Sequence, residues 1–510
     1  MSEKEYIVTL KAGVNYEAFN TEMIASTGAG NIPGRSVGVV NPRPGSTRNT
    51  HYALTDEEAQ TVANDDRVVA VEVPPEQRDD IEIGLNATQD ANFTKTTSNS
   101  GTFVNWGLRR CITPTNPYDG NDPVNNNYDY TLDGNGVDVV IQDSGIEPGH
   151  PEWNDKDGLP RLQQIDWYAE SGLTGTQSPN HYRDFDGHGT HCAGIAAGLN
   201  YGWAKGARIY SVKVAGLEGA GDSGTGISIS DVFDVITGWH NNKPVDPVTG
   251  LKRPTIVNMS WGYGTTFTSF SGGSYRGNAF SDTTRNTSLG MIGAFTLQGY
   301  RFGVRIPSVD ADVEQMIEAG IHVCIAAGNS RQRVSIPGDV DYNNFINKSG
   351  TTYYHRGGSP FSSNAFMTGN INSNDNSGTQ EQKASSSECG PGVNIYAPGT
   401  NIMSATSITN KFNGQTYPFE TDSEYKICNI SGTSMAAPQV AGLGACILQL
   451  NPSYTPEQLQ TFVIDNSSKG LLDESNDQYD YTNSNAILGS VNRYLFQPFN
   501  NPYVLQIKNT

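Results

Sequence analysis

The run Gly432-Thr433-Ser434-Met435-Ala436-Ala437-Pro438 sets a serine between small residues, at the mouth of a mostly apolar stretch, Met435 to Leu450, that reads as a helix. A serine hydroxyl is unreactive at neutral pH unless a base takes its proton and donors hold the oxyanion that forms. Three further segments offer those groups. Asp186-Gly187-His188-Gly189-Thr190-His191 places a histidine between two glycines, which let backbone approach the ring closely. His188 is the candidate general base, because imidazole titrates nearest neutral pH. His191, one turn on, is the rival and is expected to pack inside. The apolar run Gly136 to Ile146 reads as a buried parallel strand with Asp143 at its carboxyl end, where sites collect in open α/β sheets. A carboxylate there can hold an imidazole in one tautomer and stabilise the imidazolium. Ile321 to Asn329 repeats the pattern and ends in a side-chain amide, a good oxyanion donor. Each residue alone also has a structural reading: His188 as a helix-start histidine, Asp143 as a loop cap, Asn329 as a turn asparagine.

Taken together in the order Asp143, His188, Asn329, Ser434, these segments resemble the subtilases, subtilisin-like serine endopeptidases, and most of all their proteinase K-like branch. The order Asp, His, Ser is that of subtilisin. The resemblance covers roughly residues 105–465. It implies a triad of Asp143, His188 and Ser434, with Asn329 and the Ser434 N–H as the oxyanion hole. It implies a protein or peptide substrate bound as an added strand. The implied substrate segments are Ser260-Trp261-Gly262, where the family usually has Leu at the middle position, and Asp222-Ser223-Gly224, where Asp222 replaces a common Gly. Gly328 would form part of the wall of the primary specificity pocket. The chemistry needs no cofactor. Structural calcium is compatible with the oxygen-rich loops, but no segment specifies its ligands.

The elements that must position these groups are legible in outline. Residues 1–78 carry strand, helix, strand, strand, helix, strand patterns: strands at Tyr6 to Lys11, Ser36 to Val40, His51 to Leu54 and Arg67 to Val73, with helices at Asn15 to Ser26 and from Thr55, which has capping chemistry. This is a small α+β ferredoxin-like order, and it resembles the inhibitor-type prodomain of subtilases, which would assist folding and block the cleft with its tail. Residues 79–104 are polar and read as an exposed linker, and self-cleavage is expected in it or just before it. The expected catalytic domain, residues 105–483, alternates strands and helices, giving an α/β class with a parallel sheet flanked by helices. Two departures, Gly262 to Pro307 and residues 331–383, flank the Asn329 region. Thr455-Pro456 opens another helix as cap and first residue. Residues 484–510 form a C-terminal extension whose aromatics would dock on the body or on a partner.

Composition bounds the alternatives. A net charge of −20 over 510 residues argues against nucleic acid as a partner. No stretch is long and apolar enough to span a membrane. The first residues, Met1 to Leu10, do not form a conventional secretory signal, so the expectation is a cytoplasmic or virion-associated protein, or non-classical export. Four of the six cysteines lie in apolar runs, and Cys111 and Cys389 in loops could pair only if the fold brings them together. The second functional reading is a structural or virion-associated assembly protein that keeps a subtilase fold.

Overall fold

A computed structural model describes residues 2–25, 33–85, 88–89, 105–114, 116, 128, 130–215, 227–267, 271–281, 300–372, 381–412, 416–472 and 485–500. Nine of its strands form one sheet, in the order Ser468–Lys469, Arg493–Tyr494, Ile395–Pro398, Phe366–Ile371, His322–Ala326, Thr255–Met259, Asp138–Asp143, Arg208–Lys213 and Leu162–Gln163. Every neighbouring pair is parallel except the first. The central strands carry near-continuous apolar runs because both faces are covered, and every residue from Asp138 to Asp143 is buried.

Helices Ile229–Asn242 and Pro307–Glu318 pack on each other, as do His188–Ala197 and Thr433–Leu450. The second pair is close because its residues are small. A β-carbon at Gly442 would collide with the Ala196 carbonyl of the facing helix. The helix expected from Met435 begins at Thr433, so the serine lies inside its first turn. The helix from Thr455 has a full capping box with Gln458.

The first strands form a separate four-stranded antiparallel sheet, in the order Gly38–Asn41, Asn49–Leu54, Lys4–Leu10 and Val68–Glu72. Helices Tyr16–Ile24 and Asp56–Ala63 complete the unit. Thr55 and Glu58 cap the second helix reciprocally. The unit has its own apolar core, built around Val8, Phe19, Met23, Tyr52, Leu54 and Val62. Its attachment to the body is polar. Arg43, fully buried, donates to Asp234 at 3.0 Å and to Asp312 at 3.0 Å, one from each of the two packed helices. Asn49 adds a 2.8 Å bond to Asp312, and the Ser308 N–H donates to Glu72 at 2.9 Å.

Part of the stretch expected as an exposed linker is instead paired to the body. Glu82–Gly84 runs antiparallel to Gly262–Phe267, with Gly84 opposite Gly262, and Thr88–Gln89 runs antiparallel to Lys426–Ser431, with Thr88 opposite Ser431. Neither short segment has an alternation that reveals its partner, because both partners lie far along the chain. Residues 86–87 and 90–104 are outside the described residues. The two departures also meet. Gly273–Tyr275 from the first pairs with Phe345–Lys348 from the second, inside one four-stranded sheet. The described part of the expected C-terminal extension, residues 485–500, is not separate, since Arg493–Tyr494 is a strand of the large sheet and Tyr494, Leu495 and Phe499 are buried. All six cysteines are buried free thiols, with Cys111 ending the helix Trp106–Cys111 rather than lying in a loop. Among the described residues no helix is long and apolar enough to cross a membrane.

Candidate active site

Asp143 ends its strand at the carboxyl edge of the sheet, and its Oδ1 lies 2.7 Å from Nδ1 of His188. Both side chains are fully buried. The Ser144 N–H also donates to Asp143 Oδ1, at 2.7 Å. His188 opens the helix His188–Ala197, and its position is fixed by a network that its own segment does not reveal. Asp184 Oδ1 accepts from the N–H groups of Asp186 and Gly187, and Oδ2 accepts from the N–H and hydroxyl of Thr190. Ser144 Oγ donates to Asp184 at 3.0 Å and accepts from the Gly189 N–H at 2.8 Å. The strand carrying Asp143 is thereby tied to the helix carrying His188. Gly189 is required for this approach, because a β-carbon there would collide with the Gly145 carbonyl. Asp184 is not the helix cap, since Gly187 holds that position with no side-chain cap bond, and nothing in its own segment marks it.

Nε2 of His188 has no hydrogen-bond partner among the described residues. Ser434 Oγ donates to the Ser260 carbonyl at 3.0 Å. The hydroxyl and the imidazole are therefore not bonded to each other in this arrangement. Cys192 touches both residues, with Sγ 3.3 Å from the Ser434 carbonyl and 3.9 Å from His188 Nδ1. His191 is inside, as expected. Its Nε2 faces the carbonyls of Ile402 and Cys428 at 3.1 Å, and burial pushes its pKa down to about 3. It is neutral at pH 7 and turned away from Ser434.

Asn329 and Ser434 line one pocket with Ser260, Trp261, Gly262 and Gly328. The Asn329 carbonyl oxygen accepts from the Thr433 N–H at 2.9 Å and from its hydroxyl at 3.1 Å. That anchoring sets the amide's NH₂ end on the side away from Thr433. Thr433 is a positioning residue that its sequence context alone does not announce. The Trp261 indole is buried against Phe233 and Tyr263 with Nε1 3.3 Å from Gln142. The three residues expected on the opposite side of the groove, Asp222, Ser223 and Gly224, lie outside the described residues.

The side chains of Asp143, His188 and Cys192 come close enough to share one ion. The set fits calcium poorly, because calcium takes six to eight oxygen ligands. It fits zinc poorly as well, because burial and then the Asp143 charge hold the Cys192 thiol well above its ordinary pKa, whereas zinc takes the thiolate.

Fold and cluster together define the class first: an α/β protein with a serine, an imidazole–carboxylate pair and an amide gathered over the carboxyl edge of a parallel sheet. The profile of the Subtilase family matches residues 134–490, and the chain belongs to that family. Its relatives include Alkaline serine exoprotease A of Vibrio alginolyticus, 25% identical over 77% of this chain and 50% of that protein. The Subtilisin-like serine protease Cla h 9.0101 of Davidiella tassiana is 29% identical over 68% of this chain and 51% of that one. The Extracellular serine proteinase of Thermus sp. (strain Rt41A) is 26% identical over 78% and 70%. The chain spans about half the length of the first two. Among solved structures, fervidolysin from Fervidobacterium pennivorans, a keratinolytic enzyme related to subtilisin, aligns with a TM-score of 0.51 at 15% identity over 98% of this chain and 61% of that one, a likeness of fold. These relatives overturn the expectation of a cytoplasmic or virion-associated protein, since one is named extracellular. That expectation rested on the composition of the first ten residues, which carries no information about export when only part of a longer relative is matched.

Proposed function

We propose that the chain is a serine endopeptidase made as an autoinhibited zymogen. The reading rests most on one observation: the 2.7 Å Asp143–His188 bond stands at the strand ends beside the pocket that holds both Ser434 and Asn329. In the proposed reaction, a turn about the Ser434 Cα–Cβ bond takes Oγ from the Ser260 carbonyl to His188 Nε2. Oγ attacks the peptide carbonyl as Nε2 takes its proton, and Asp143 stabilises the imidazolium. The Asn329 amide and the Ser434 N–H hold the oxyanion. His188 then protonates the leaving amine, and water repeats the sequence on the acyl-enzyme. Side chains and water suffice for this chemistry. Calcium, common in the family, would act only as a stabiliser at a site still to be located.

Residues 1–78 act as an intramolecular inhibitor and folding aid, docked on the catalytic body formed by residues 105–483. The strand pairings support this. The chain pairs with Gly262, which lines the pocket together with Ser434, and with Ser431, three residues before Ser434, as a peptide substrate would add as a strand. Lys411 Nζ holds the Leu85 carbonyl at 3.0 Å and is itself paired with Asp186, two residues before His188. The bond first cut therefore lies in the stretch Leu85-Asn86-Ala87-Thr88. Fluorophosphonate labelling and mass spectrometry of the new N-terminus test both parts. Labelling of Ser434 that depends on His188, together with a new terminus at residue 86, 87 or 88, is expected. An unlabelled serine, or a chain that stays full-length while it digests casein, would count against them.

A further inference from the structure

Lys411 belongs to the loop that follows the strand Ile402–Thr406, and that loop is fastened to the segment carrying His188. The Lys411 N–H donates to the Asp186 carbonyl at 2.9 Å, and Thr406 Oγ1 donates to the Gly187 carbonyl at 3.2 Å. Gly187 is left-handed with φ of 94°, and a β-carbon there would come within 2.7 Å of Asn410 Cβ, so the two segments touch. The Lys411 side chain runs beside Asp186, with Nζ 2.8 Å from Oδ1. The same Nζ donates to the Leu85 carbonyl at 3.0 Å. Leu85 comes directly after Gly84, which is opposite Gly262, and three residues before Thr88, which is opposite Ser431. This stretch is therefore held as a strand at both ends and by an ammonium between them. The Lys411 side chain is 30% exposed with the stretch in place, so it stays open to a second peptide once the stretch has left.

We propose that Lys411 is a substrate-binding residue, and that its ammonium holds a main-chain carbonyl of the bound polypeptide one or two residues before the carbonyl that is attacked. The inference rests on the reading of Ser434 as the nucleophile and of residues 82–89 as a peptide bound like a substrate. A carbonyl engaged by Lys411 is not the one received by the Asn329 amide, so Leu85 precedes the attacked residue. Every polypeptide has such a carbonyl, and the contact adds affinity without selecting a side chain. A charged donor makes it stronger than an amide would. Asp186 keeps the ammonium in place before substrate arrives, so little side-chain freedom is lost on binding. Lys411 grips Asp186 by both carbonyl and carboxylate, two residues before His188, and the peptide is thereby anchored to the stretch of backbone that presents the base.

The test uses the self-processed chain and an internally quenched peptide with the sequence of residues 81–90, in which the Leu85 carbonyl oxygen is kept or replaced by sulfur, a weaker acceptor. On the oxygen peptide, Lys411→Met should lower kcat/KM by about tenfold, mostly through KM, the scale for a hydrogen bond to a charged group. Lys411→Arg, which keeps a charged donor, should recover most of that loss. Exchange of oxygen for sulfur should cost wild type about fivefold and Lys411→Met less than about twofold, because the variant has no bond left to weaken. A merely structural role would scale both peptides alike, leaving the oxygen-to-sulfur ratio the same in both enzymes. Fluorophosphonate labelling of Ser434 in the same samples reports on the nucleophile independently. A labelled, active enzyme whose oxygen-to-sulfur ratio does not depend on Lys411 overturns the Lys411 assignment alone. A chain that is neither labelled nor cuts the peptide overturns the reading of Ser434 with it.

Discussion

The large sheet and the N-terminal unit are built on opposite terms. The body holds its strands by continuous apolar burial on both faces, and its functional side chains by short bonds from neighbouring elements. The N-terminal unit has a modest core of its own and meets the body through ions and strand edges: Arg43 between two aspartates, Glu72 at a helix start, and two short β pairings. An apolar core resists separation, whereas paired charges and strand edges can be exchanged for water and for another peptide. On the proposed function, one part persists and the other leaves.

The largest expected effect lies within the body. Ser434→Ala should lower peptide hydrolysis by about 10⁴-fold or more with an unchanged thermal transition, and should leave the N-terminal unit uncut on denaturing gels. Asn329→Ala should lower kcat by about 10²–10³ with KM nearly constant. At the seam, Arg43→Ala leaves Asp234 and Asp312 buried together without their cation, which should weaken docking by about 3–5 kcal/mol. A shorter lag before casein clears would report it, and the processed body should melt as in wild type. If the body melts earlier instead, the seam belongs to the core and the contrast fails.

The smallest effect is that of pH. Burial pushes the pKa of Glu72 up to about 7 and that of Asp312 up to about 6, against ordinary carboxylate values near 4. Both face water once the unit leaves, so docking takes up protons over this range. The docked state is favoured below pH 4, and the advantage is lost as pH rises through 6 to 7. Gel filtration of cleaved material at about pH 5 and pH 8 should find more separated unit at the higher pH. Equal separation at both would show that these carboxylates titrate alike in both states.

Much of the site was legible because its chemistry is local. Asp143, His188, Asn329 and Ser434 each sit in a segment whose apolar run or glycine pattern marks a strand end or a helix mouth. The supports were not legible. Asp184 and Ser144 act through contacts across about 40 residues, and Thr433 through its hold on Asn329, so no window of sequence contains both partners. The strand pairings of residues 82–84 and 88–89 were hidden for the same reason, as was the joining of the two departures into one sheet. Glu388 lies 60 positions beyond Gly328, so no window of sequence shows that its N–H donates to the Gly328 carbonyl.

The two strand pairings around Ser434 also carry a kinetic consequence. A peptide tethered on the same chain meets the cleft at an effective concentration near millimolar, however dilute the solution. The first turnover of each molecule should thus be first order, with a half-time unaffected by dilution. On the proposed function, attack on any other polypeptide must wait until the severed segment has diffused away.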